Sequence, residues 1–175
     1  MPQNKEAISS SFIKQRQRDI GRIVRSLINS DEISINSLRG NGIDIGCWYG
    51  TSTSVLERYG GYVTAIEQAT IPTREGINFG LIDPNRLIVG EATEVLKRWQ
   101  NHVDFITFFG ATSAVNFEVL LDNATRLLNS GGFLLLTTIP ELEGDIDRLV
   151  TSSGYKFSPA SAYVWDKVGF LYHPK

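Results

Sequence analysis

The stretch Asp44-Ile45-Gly46-Cys47-Trp48-Tyr49-Gly50-Thr51-Ser52 decides how this chain is read. The short apolar run Ile43–Ile45 leads into it and the amphipathic run Ser52–Tyr59 leaves it, so its glycines sit where a strand gives way to a helix. Gly46 lets the chain turn sharply, and Gly50 is expected to let backbone and ligand approach closely. In open α/β sheets the ligand lies beyond the carboxyl ends of the strands, which makes this first turn the place to look for a site.

Outward from the turn, short apolar runs alternate with amphipathic helices. Strands are expected at Tyr62–Ile66, Arg86–Val89, Val103–Phe109 and Phe133–Thr138, the last after a break at Ser130-Gly131-Gly132. Helices are expected from near Pro72, over Thr93–Trp99, Ser113–Leu128 and Glu141–Ser153. Two closing stretches, Tyr155–Phe157 extending toward Trp165 and Val168–Tyr172, have no helix between them and should pair antiparallel at the edge. This predicts an α/β fold: a doubly wound, mostly parallel, seven-stranded sheet with an antiparallel C-terminal hairpin. Residues 1–40 read as an N-terminal helical extension packed on an α/β domain of residues 41–175. In that extension Ile20, Ile23, Val24, Leu27 and Ile28 form one apolar face, while Lys14, Arg16, Arg18, Arg22 and Arg25 read as a solvated one.

Composition removes several classes of function. The 175 residues carry 17 basic against 19 acidic groups, a net charge of −2, so no global electrostatic reason exists to expect nucleic acid or an anionic membrane. The single cysteine, Cys47, excludes an intramolecular disulfide and a thiolate zinc cluster, and His102 and His173 lie far apart; no metal site is expected. No apolar run approaches the ~20 residues of a membrane span, and the polar N-terminus lacks a signal-peptide core, so the expected location is cytoplasmic.

Two cofactor classes compete for the turn. A nicotinamide dinucleotide needs glycines at relative positions one, three and six; these are Gly46, Trp48 and Thr51, and one fits. The methyltransferase spacing of one, three and five meets Gly46, Trp48 and Gly50, and two fit, with Asp44 two places ahead of the first glycine. Glu67 ends the second strand about 20 residues on, where a carboxylate can accept ribose hydroxyls. Gly90-Glu91-Ala92 follows the third strand on the same rim.

Across roughly residues 40 to 172 the chain resembles the class I S-adenosylmethionine-dependent methyltransferase family. The resemblance implies S-adenosylmethionine as cofactor and a role for each matching residue. The backbone of Gly46, Cys47 and Trp48 would underlie the methionine part, and Asp44 would fix either the loop or the amino group. Glu67 would bind the ribose diol and Gln68 would lie against the adenine. Glu91 would face the adenine amino group, or only cap the following helix, and Ala92 would donate its backbone N–H to a ring nitrogen. The small-residue stretches Phe109–Ala114 and Gly90–Glu94 look like loops of the precorrin methyltransferases.

The sequence departs from the family pattern at Trp48, which stands where glycine is usual and can wall the pocket, touch substrate or block it. The fourth strand ends in Phe108-Phe109-Gly110-Ala111-Thr112-Ser113, with neither the proline motif of base-amine methyltransferases nor a metal-binding aspartate. The expected substrate is therefore a small or medium-sized metabolite, not nucleic acid, and a homo-oligomer is compatible with the apolar closing edge. No catalytic residue is assigned; Glu94, Glu141, Tyr163 and Asp166 are the candidate bases, and His102 falls at the wrong end of the sheet. The alternative is a non-catalytic cofactor-binding or interaction protein on the same fold.

Overall fold

The structure is a computed structural model that describes residues 9–109, 119, 122, 123, 126–138, 156–164 and 167–173. In chain order the elements are α1 (Ser10–Asn29), α2 (Ile35–Leu38), β1 (Asn41–Ile45), α3 (Thr51–Arg58), β2 (Tyr62–Glu67) and α4 (Thr70–Asn78). There follow β3 (Leu87–Val89), α5 (Ala92–Arg98), β4 (Val103–Phe109), β5 (Leu128–Thr138), β6 (Lys156–Val164) and β7 (Lys167–His173). The sheet order is β3-β2-β1-β4-β5-β7-β6. The first five strands run parallel, β7 pairs antiparallel with β5, and β6 antiparallel with β7. The α/β, Rossmann-like reading of the sequence holds. The helices expected over Ser113–Leu128 and Glu141–Ser153 fall mostly or wholly outside the described residues.

Period-two alternation along the central strands feeds two apolar layers. Ile43, Ile45, Ile106, Phe108, Leu134 and Leu136 face α5 and its Leu96. On the opposite face Val63, Phe105, Phe133 and Leu135 pack against Ile20, Ile23, Val24 and Leu27 of α1 and against Val55 and Leu56 of α3. Burial on both faces is what makes these strands read as continuous apolar runs. The N-terminal helix thus closes one layer of the core, and its N-terminal half reaches the rim where β1 and β4 end.

The largest boundary difference from the sequence reading is at the start of β5. Ser130-Gly131-Gly132 does not break the chain before a strand; it lies inside β5, where the partners step from Val103↔Leu128 to Phe105↔Phe133. The extra residues bulge out with Gly131 at φ 81°, a left-handed conformation suited to glycine. Asp104 pins the bulge, accepting from Asn129 Nδ2 at 2.8 Å while its other oxygen accepts the Asn41 N–H at 2.8 Å.

Candidate functional site

At the carboxyl end of β1 the backbone turns through two left-handed residues, Gly46 at φ 65° and Trp48 at φ 51°. The second explains the glycine usual at this position, since an L side chain there costs about 1–2 kcal/mol. Trp48 is held by its N–H, which donates to Glu67 Oε2 at 3.0 Å, and by an edge contact of its ring with Tyr49 at 4.6 Å. Trp48 is 44% exposed, so its indole is not sealed into the core.

Glu67 ties the rim together. Its other oxygen accepts the Ala69 N–H at 2.9 Å, its backbone carbonyl accepts the Gly90 N–H at 3.0 Å, and the neighbouring Ile66 carbonyl accepts the Gly46 N–H at 2.8 Å. One carboxylate at the end of β2 thereby fixes the first turn and the start of α4, and each of its oxygens keeps a lone pair for a further donor.

Asp44 lies beneath the turn and is fully buried. It accepts from Ser52 Oγ and Thr53 Oγ1, each at 2.6 Å, and from Thr107 Oγ1 at 2.9 Å. Desolvation lifts its carboxyl above the ordinary value, and the hydroxyls oppose that shift. Of the two roles open to Asp44, fixing the loop is the one the geometry displays. Cys47 is also buried, and desolvation with the Asp44 and Glu67 carboxylates pushes its thiol far up, which leaves it an unactivated small side chain.

A cavity of about 380 Å³ opens beside the turn. Gly46, Cys47, Trp48 and Glu67 line it, as do Thr51, Ser52 and Ala69. Ile20, Phe109 and Arg16 form the rest of the wall. Arg16 was read from sequence as part of a solvated face. Its place four residues before the buried Ile20 is the signal that it shares that residue's side of α1. Burial draws its guanidinium below the ordinary value, with Asp19 opposing.

The remaining expected residues stand elsewhere. Gly50 does not admit a ligand: a side chain there would clash with Ile82 Cγ1 and meet the Leu81 carbonyl at 2.9 Å, so the close approach is to the loop before β3. With φ at 76° as well, Gly50→Ala is expected to cost about 2–4 kcal/mol and lower the melting temperature by about 5–15 °C. Calorimetry checks this, and an unchanged melting temperature would refute it. Gln68 is exposed beside the rim. Glu91 caps α5, accepting the Thr93 N–H at 3.0 Å, the Glu94 N–H at 2.9 Å and the Thr93 hydroxyl, and these bonds hold its carboxyl below the ordinary value. It borders a separate hollow of about 460 Å³ with Gly90, Val95 and Trp99, and Ala92 opens the helix it caps. Glu94 pairs with Lys97 at 2.8 Å on the surface of α5. Glu141, Asp166 and the side chain of Tyr163 lie outside the described residues. Among the described residues no cluster of histidine, cysteine or carboxylates is placed to hold a metal, and no helix is long and apolar enough to cross a membrane.

Comparison with solved structures places this architecture among methyltransferases. Magnesium protoporphyrin IX methyltransferase from Synechocystis PCC 6803, with bound SAM, superposes with a TM-score of 0.66 at 12% identity, over 97% of this chain and 87% of that one. Precorrin-6y C5,15-methyltransferase from Geobacter metallireducens gives 0.65 at 14% identity, over 100% and 94%. The PH0226 protein from Pyrococcus horikoshii gives 0.69 at 16%, over 95% and 92%. Among curated protein sequences no relative matches. The methyltransferase domain family does match, over residues 43–136. That match runs from within β1 to within β5, more than half of the chain, and on that ground the chain belongs to the methyltransferase domain family, whose methyl donor is S-adenosylmethionine.

Proposed function

We propose that this chain transfers a methyl group from S-adenosylmethionine to a small or medium-sized metabolite. The observation that carries the reading is the cavity at the end of β1, which joins a bare backbone turn, a carboxylate and a guanidinium around an apolar wall. Those groups fit the donor's parts. The backbone of Gly46, Cys47 and Trp48 would lie under the methionine chain, and Glu67 would accept the ribose hydroxyls on its spare lone pairs. Arg16 would meet the methionine carboxylate. Gln68 and Ala92 would flank the adenine, with Glu91 at that end of the rim. Asp44 acts from beneath as a positioning residue, and Gly50 serves the turn through its packing on Ile82.

Bound S-adenosylmethionine supplies a methyl group on a positively charged sulfur, open to direct attack by an electron-rich acceptor. Among the described residues of the wall, only Glu67 is a carboxylate, and the proposal already commits it to ribose. On this reading the acceptor is one that arrives ionised or otherwise electron-rich, with the chain's contribution being to hold it in line with the methyl. Two neighbours named for protoporphyrin and precorrin methylation support an acceptor of medium size. Trp48 lines the cavity while remaining 44% exposed, which supports an open site over the crowded one of a non-catalytic binder.

The test has two arms. With a dissociation constant near 10 µM, millimolar S-adenosylhomocysteine should stabilise the fold by about 2.7 kcal/mol and raise the melting temperature by about 5–10 °C. Arg16→Ala should weaken that binding about tenfold, corresponding to about 1.4 kcal/mol. Transfer of labelled methyl to a panel of acidic and enolic metabolites would then identify the acceptor. No thermal shift would sink cofactor binding; a shift without transfer would leave the non-catalytic alternative.

A further inference from the structure

We infer that the groove between α1 and α3 is a docking site for an acidic amphipathic helix of a partner protein. Its rim is cationic: Lys14, Arg18 and Arg25 come from α1 and Arg58 from the end of α3. Tyr59 lies along it, and the hollow measures about 540 Å³. All four cations are exposed. Among the described residues none of the four has an ion-pair partner. The one acidic residue of α1, Asp19, is buried on another side, where it accepts from Gln15 and pairs with Arg22 at 3.5 Å. Among the described residues the groove is thus an uncompensated positive strip, on a chain whose net charge is −2.

A second observation says what approaches it. Gly21 stands in the middle of the strip, and a side chain built on it would meet nothing within 4 Å. Glycine inside a helix costs stability relative to alanine, and here no neighbour in the described chain requires it. Its effect is to bare the α1 backbone between Arg18 and Arg25, which suits close packing of another helix. The spacing agrees. Lys14, Arg18, Gly21 and Arg25 follow one another by four, three and four residues along one helix face, a strip of about 16 Å. A facing helix with acidic side chains at the matching i, i+4, i+11 positions and a small residue opposite Gly21 meets each of the three α1 cations. An evenly spaced phosphate chain matches the uneven interval less well, and a flat membrane does not enter a groove.

The probe is a synthetic helical peptide of about 18 residues, with glutamates on that spacing and alanine opposite Gly21. Fluorescence anisotropy at low salt should show it binding at least about tenfold more tightly than its scrambled sequence or an oligouridylate of equal charge. Lys14→Glu with Arg25→Glu should reduce binding at least about tenfold. Gly21→Leu should reduce it about fivefold or more while the protein melts no lower and keeps its S-adenosylhomocysteine shift. Equal binding of the scrambled peptide, tighter binding of the oligouridylate, no peptide binding, or indifference to Gly21→Leu would overturn the inference. So would concentration-dependent dimerisation abolished by the double charge reversal, which would give the groove to a second copy of this chain.

Discussion

Replacing Glu67 with alanine is expected to weaken S-adenosylhomocysteine binding by about a hundredfold or more, the largest loss of affinity from any single residue of the site. Two effects combine. The ribose loses a charged acceptor for its hydroxyls, and such bonds contribute about 1.5–3 kcal/mol each. The turn also loses its anchor, since the same carboxylate receives the Trp48 and Ala69 N–H groups at 3.0 and 2.9 Å. Glu67→Gln separates the two. The amide oxygen still accepts one bond while its NH₂ faces a donor, so binding should fall between the parent and the alanine variant. Titration calorimetry on all three proteins reads the order directly. Parent-like affinity in Glu67→Ala would exclude this carboxylate from the ribose site.

Asp44→Ala carries the largest expected loss of stability. Three buried hydroxyls, from Ser52, Thr53 and Thr107, donate to one carboxylate that is itself fully buried. Removing the acceptor leaves those donors without their partner and opens a small void, at a cost of about 3–5 kcal/mol. The melting temperature should fall by about 10 °C or more. Asp44→Asn should be far milder, because the hydroxyls can rotate to accept from the amide and the buried charge is gone.

The pH dependence distinguishes the two states of Asp44. Burial raises its carboxyl above the value in the unfolded chain, so the native state binds the proton more tightly. That contribution to stability is present below the unfolded value and is lost as pH rises through the folded one. Melting curves across the acidic range should show this slope in the parent and lose it in Asp44→Asn.

Local signals carried much of the fold. The alternation of β4 and β5 places Phe105 and Phe133 on one face and Ile106 and Leu134 on the other, as a sheet covered on both sides requires. The turn was legible because Asp44, Gly46 and Glu67 each do local work at a strand end. What escaped depended on distant partners. Gly50 reads as a ligand-facing glycine until Ile82, 32 residues away, is seen to occupy the space above it. The glycine pair before Phe133 reads as a break until Asp104 is found holding it as a bulge. Arg16 was hidden among five cations of one helix, though its spacing from Ile20 distinguished it. Glu91 was legible as two things, a cap or an adenine contact, and the cap is the geometry on display.

The left-handed residue at position 48 also limits how this family member can drift. Glycine can enter there freely and asparagine almost so, whereas the β-branched residues cannot without disturbing the turn. A tryptophan is tolerated because the Glu67 carboxylate holds its N–H. If that carboxylate is lost first, a strained residue is left without an anchor; if glycine returns first, the carboxylate is released from holding position 48 and keeps only its other duties. Positions 48 and 67 should therefore exchange residues in a fixed order, and among relatives of this chain an aromatic at the first is expected only beside an acid at the second.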